Sequence, residues 1–114
     1  WTKGHVALLG DACHPTLPFL AQGAIMAIED GVVLARCLDT YGDIGAALAA
    51  YQKARVERAT KIVVGSTEAG KRFHNPILAD ATAAVGYMER EWAPEKVRLR
   101  YDWLFEYDAT AVAI

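Results

Sequence analysis

The segment from Leu8 to Asp30, LLGDACHPTLPFLAQGAIMAIED, is the feature that most limits what this chain can fold into. An apolar run, Gly4 to Leu9, meets Gly10-Asp11 and reads as a buried strand ending in a turn. Pro15 and Pro18 keep helix out of most of Ala12–Ala21, because each lacks a backbone donor and restricts the residue before it. From Gln22-Gly23 the spacing turns helical: Ala24, Ile25, Ile28, Val32 and Ala35 recur at three- and four-residue intervals and are expected to form the apolar face. This order carries a strand-end carboxylate, Asp11, toward the amides of a helix start. Such amides, at the positive end of the helix dipole, favour negative charge. Asp11 and the Gly23-Ala24 amides therefore suit a ligand with hydroxyls at one end and an anionic group at the other. The same residues equally suit a plain strand–loop–helix connection in which Asp11 stabilises the turn.

The remainder reads as helical. The first helix spans about 22–38, and Asp39 to Gly45 is a turn-rich break. A second helix is expected over about 45–73, with Leu48, Tyr51, Ala59, Ile62 and Val63 on its apolar stripe. Lys53, Arg55, Glu57, Arg58 and Lys61 are assigned to its wet side, and Gly65 and Gly70 weaken its last turns. Asn75-Pro76 ends or kinks it, a third helix follows at about 76–91, and a last one at about 94–104. The fold class expected is mainly α, one N-terminal strand followed by three to four helices. A lone strand leaves backbone donors and acceptors unpaired, so partner strands are expected from elsewhere in a larger protein or from another copy. The start at Trp1 rather than Met reads as a truncated or processed product.

Composition excludes several function classes. The 114 residues, 54% of them hydrophobic, make one domain at most. Twelve basic against 14 acidic residues leave no basic face for nucleic acid. Cys13 and Cys37 form no disulfide framework and fit a reducing cytoplasm. No apolar run reaches the roughly 18 residues of a membrane span. His5, His14, His74 and Cys13 match no zinc spacing, so no metal site is expected, and His14 reads as a loop anchor to backbone groups. Gly65 to Arg72 falls short of a phosphate-binding loop, because Arg72 stands where a Mg²⁺-ligating hydroxyl would be. Ser66, the only serine, lacks a nucleophile-elbow context. The late aromatics Trp92, Tyr101, Trp103, Phe105 and Tyr107 are expected to pack against a further domain or drive self-association.

The stretch GDACHPTLPFLAQGAIMAIEDGVVLARCL resembles the second FAD-binding fingerprint of the flavoprotein aromatic hydroxylases, such as salicylate, hydroxybenzoate and hydroxynicotinate hydroxylases. The match falls at Gly10, Asp11, Ala12, His14, Pro15, Gly23, Ala24, Glu29 and Asp30, in one order. Residues 1–4 and YDWLFEYDA at 101–109 are also similar to those enzymes. The resemblance implies that the chain is the C-terminal part of an α/β FAD-binding fold with its following helices. It implies that Asp11 holds the ribityl chain of FAD with Gly10 beside it in the cofactor-binding set, that Gln22, Gly23 and Ala24 face the flavin ring edge, and that Pro15, Pro18 and Phe19 wall the pocket. Cys13 and Gln22 depart from commoner residues at those positions without disturbing the pattern.

The family's Gly-x-Gly-x-x-Gly fingerprint, its second Asp-Gly motif and its substrate-domain sheet are absent from these 114 residues. Weak or no FAD binding is therefore expected of the chain by itself. The reaction implied for the parent enzyme is FAD- and NAD(P)H-dependent hydroxylation of an aromatic acid or phenol with O₂. A homodimer or higher oligomer is expected. Two other readings stand beside this one: a helical self-association piece without catalysis, and a flavoprotein reductase that does not hydroxylate.

Overall fold

A computed structural model describes residues 1–114. The mainly α class is borne out. The apolar N-terminal run, however, supplies its own ladder partner: β1 (Thr2–Lys3) pairs antiparallel with β2 (Val6–Ala7), Thr2 opposite Ala7 and Lys3 opposite Val6. The two-residue turn between them needs the positive φ of +56° that Gly4 adopts without penalty. Leu8 closes the hairpin by donating its N–H to the Trp1 carbonyl at 2.9 Å. The strand expected over Gly4–Leu9 is thus confined to Val6–Ala7, a third of the length read, and it is not unpaired.

Helix α1 (Gly23–Thr40) and helix α2 (Ile44–Phe73) form an antiparallel hairpin closed by Tyr41–Asp43. Asp43 starts α2 by accepting the Ala46 N–H at 2.8 Å, satisfying one of the donors a helix start leaves free. The region read as one helix at 76–91 divides at Asp80. A 3₁₀ turn, Pro76–Ala79, precedes α3 (Ala81–Glu91), and the Asp80 carboxylate caps α3 by accepting from Thr82 and Ala83. Helix α4 (Pro94–Phe105) begins with proline at its first position, where the missing donor costs nothing.

Two small cores hold the hairpin together. Val33 and Cys37 of α1 meet Ala47 and Tyr51 of α2, and Met26 meets Ala59 and Ile62 with Leu104 of α4 over them. Only 20 of 114 residues are buried, and the molecule measures 61 × 24 × 16 Å. Its radius of gyration of 17.7 Å exceeds the roughly 13 Å of a compact domain this long, so much of the chain lies outside a common core.

The buried face of α1 is not the one its hydrophobicity suggests. Met26, Glu29, Asp30, Val33 and Cys37 face α2, whereas Ile25 and Ile28 of the expected stripe point outward and are 44% and 64% exposed. On α2, Arg55 and Arg58, assigned to the wet side, are buried. Ionic pairing between these faces, described below, explains both reversals. The glycines expected to weaken α2 instead let a loop approach. A Cβ on Gly70 would lie 2.6 Å from the Phe19 ring, and one on Gly65 would lie 3.2 Å from Leu20. The late aromatics find partners within the chain: Trp92 packs on Phe73 and Tyr87, and Tyr101 and Trp103 lie on the Met26–Ile62 core, while Phe105 stays 79% exposed.

Candidate functional site

After the hairpin, Gly10 takes a left-handed φ of +60°, which turns the chain into the 3₁₀ turn Gly10–Ala12. Its lack of a side chain also matters for space, since a Cβ there would stand 3.2 Å from the Ala27 Cβ of α1. The turn leaves Asp11 exposed on the wall of a cleft of about 720 Å³. Across it lie Gly23, Ala24 and Ala27 at the start of α1, with Thr16, Leu17 and Pro18 on a third side. The first amides of α1 have no intrahelical partner, and no side chain caps them. The left-handed Ala21 (φ +53°) and the buried Gln22 at the N-cap deliver the chain to this helix start.

The structure therefore brings together Gly10, Asp11, Pro18, Gly23 and Ala24, with Gln22 buried directly behind the helix start. It does not bring Pro15 or Phe19 to that cleft. Pro15 lines a separate hollow of about 250 Å³ with Trp1, His14 and Val63. Phe19 turns to α2, where its ring packs on Gly70, Phe73 and His74. Ser66 fixes this loop by donating to the Leu17 carbonyl at 2.5 Å.

Beneath the cleft lies a buried polar cluster that was not read from the sequence. Asp30 Oδ2 accepts from the Gly10 N–H at 3.0 Å and from His14 Nε2 at 2.6 Å, while Oδ1 accepts from Arg55 Nε at 2.8 Å. Glu29 takes both forks of Arg58 at 2.7 and 2.9 Å, and Arg55 Nη2 at 2.7 Å. Arg55 also donates to the Tyr107 hydroxyl, and the Arg58 guanidinium sits 4.0 Å from the Tyr107 ring centroid. Bidentate arginine pairs of this kind satisfy buried carboxylates. Burial pushes the Asp30 carboxyl up, but the hydrogen bonds from Arg55, Gly10 and His14 outweigh it and hold the group below the ordinary carboxylate range. His14 is thus a loop anchor, but to a carboxylate rather than to backbone groups. Cys13, His14 and Asp30 do place donor atoms within 4.8 Å of one another. The Arg55 guanidinium already balances the carboxylate, so hydrogen bonding alone accounts for this grouping.

The spacing held a usable signal. On α1 the residues 26, 29, 30, 33 and 37 fall on one helical face, and on α2 so do 48, 51, 55, 59 and 62. Charged residues in those registers belong to the interface. Assigning them to water by residue type alone overlooks their position.

Turn, cleft and helix start together form a strand–loop–helix element with an open cleft at its centre. Residues 1–66 match the family model described as FAD binding domain, and the chain belongs to that family. It is 52% identical over 71 residues to an aurachin C monooxygenase/isomerase of Stigmatella aurantiaca, an alignment covering 62% of this chain and 18% of that protein. It is 48% identical over 75 residues to a 3-hydroxybenzoate 6-hydroxylase of Aquipseudomonas alcaligenes (65% and 23%). An FAD-dependent monooxygenase of Beauveria bassiana is 38% identical over 121 aligned positions (97% and 28%). The chain thus spans less than a third of the length of these relatives. No solved structure matches it. The resemblance to the flavoprotein monooxygenases is borne out by these relatives, and FAD is the cofactor that family and relatives support. No helix is long and apolar enough to cross a membrane.

Proposed function

We propose that this chain is the C-terminal part of an FAD- and NAD(P)H-dependent monooxygenase that hydroxylates an aromatic acid or phenol, and that it supplies the ribityl and ring-edge side of the FAD site. The observation that carries this reading is the single cleft that faces an exposed carboxylate, Asp11, toward the uncapped amides of α1. Those groups fit part of FAD and not all of it: a polyol finds an acceptor, a ring edge finds donors, and nothing on this chain is arranged for a pyrophosphate.

In this reading Asp11 accepts hydrogen bonds from the ribityl hydroxyls. The Gly23 and Ala24 amides stabilise negative charge at the ring edge through fixed dipoles that need no reorganisation. Pro18 lines the wall and keeps water from it. Bound FAD supplies the redox chemistry with O₂ and the nicotinamide. The outward apolar face of α1, with Ile25, Ile28 and the exposed Leu8 and Leu9 beside it, supports a further layer of polypeptide there.

The test is oxygen incorporation. The complete enzyme, given ¹⁸O₂, NADH or NADPH and a panel of hydroxylated benzoates and nicotinates, is expected to place one labelled atom in a ring product. NAD(P)H oxidation that ignores every aromatic compound and labels none would replace this reading with that of a reductase.

A further inference from the structure

We propose that Asp30 is a positioning residue for the flavin-facing turn, a role that rests on the reading of the cleft given above. Asp30 is fully buried, and one of its oxygens takes both the Gly10 N–H and His14 Nε2. Gly10 and His14 are the two ends of the short segment that carries Asp11. Both ends are therefore pinned to a single atom on α1. That same helix begins at Gly23, which lines the cleft together with Asp11. Seven residues of rigid helix, roughly 10 Å of rise, separate Gly23 from the anchor. The span between the Asp11 carboxylate and the helix-start amides is thereby set by one element.

The chemistry of the anchor calls for a carboxylate. Three donors converge on it from three directions: Gly10, His14 and Arg55. An asparagine offers one acceptor oxygen and would turn an NH₂ group against at least one of these donors. Gly10 needs the hold more than an ordinary residue, because a glycine backbone is free to leave its left-handed conformation and has no side chain to pack it against Ala27.

A purely structural role for the buried cluster makes a different prediction. The Glu29–Arg58 half carries as much buried charge, yet it touches neither Gly10 nor His14. Glu29→Gln is therefore the control for lost stability without a lost anchor.

The experiment titrates FAD into the apo form of the complete enzyme by flavin fluorescence, with apoprotein melting measured alongside. Asp30→Asn is expected to weaken FAD binding about tenfold or more, the scale of one lost charged hydrogen bond. Glu29→Gln is expected to bind FAD as wild type does once its melting loss is allowed for. If Asp30→Asn does not fold, His14→Ala removes one of the two anchors while leaving Asp30 paired to Arg55, and it is expected to weaken FAD several-fold. Asp11→Ala separates the two levels of the argument. If it leaves FAD affinity unchanged, the reading of the cleft itself fails. If Asp11→Ala weakens FAD but the Asp30 and His14 variants do not, or Glu29→Gln weakens it as much as they do, the positioning role is overturned.

Discussion

Replacing Arg55 with methionine tests the energetics of the α1–α2 interface. Arg55 is fully buried and donates to Asp30, Glu29 and the Tyr107 hydroxyl at 2.8, 2.7 and 2.8 Å. Methionine fills much of the space but donates nothing. It leaves Asp30 Oδ1 without a partner and Glu29 with Arg58 alone. Breaking one side of a buried ion pair costs about 3–5 kcal/mol, a large part of the 5–15 kcal/mol that holds a typical domain together.

The loss is expected to depend on pH, and its sign follows from Asp30. With Arg55 in place the Asp30 carboxyl titrates below its unfolded value, so it stabilises the fold above the ordinary carboxyl pKa of about 3.9. That contribution fades as pH falls through the folded value. Without the Arg55 hydrogen bond, burial pushes the group upward, so at neutral pH the variant folds against a carboxylate it holds poorly. Protonation removes that conflict. The gap between wild type and Arg55→Met is therefore widest near pH 7 and narrows below about pH 4. Urea unfolding followed by circular dichroism at several pH values measures it. A gap under about 1 kcal/mol at pH 7, or one that does not change with pH, would refute the reasoning.

Two glycines on α2 separate helix propensity from close packing. Gly70→Ala gains about 1 kcal/mol of propensity but drives a methyl into a Phe19 ring held by Phe73 and His74, so a net loss of about 1–2 kcal/mol is expected in thermal unfolding. Gly65→Ala meets only the flexible Leu20 end at 3.2 Å and is expected to cause no loss in the same assay. Ser66→Ala removes the bond to the Leu17 carbonyl, with an expected cost of about 1 kcal/mol and amide chemical-shift changes confined to Leu17–Leu20 and the facing turn of α2.

Helix boundaries at the 39–45 break, at Asn75-Pro76 and at Pro94 were legible because their chemistry is local, whereas the Asp80 cap that divides 76–91 was not read. The turn carrying Asp11 and the helix start at Gly23 were legible for the same reason. What escaped was long-range. Thr2–Lys3 is too short to announce itself as a strand, and only its pairing with Val6–Ala7 makes it one. Glu29, Asp30, Arg55 and Arg58 look like solvated charges one residue at a time, and they are buried only because each meets its partner across the hairpin. Phe19 leaves the cleft because Gly70, 51 residues later, opens a slot for it.

Whether Asp11 and the start of α1 hold flavin is decided by equilibrium FAD titration of the complete enzyme against its Asp11→Ala form. Asp11→Ala is expected to lose at least about tenfold in FAD affinity while its apoprotein melts as wild type does, since Asp11 is exposed and makes no internal hydrogen bond through its side chain. Equal FAD affinity in the two proteins would contradict it.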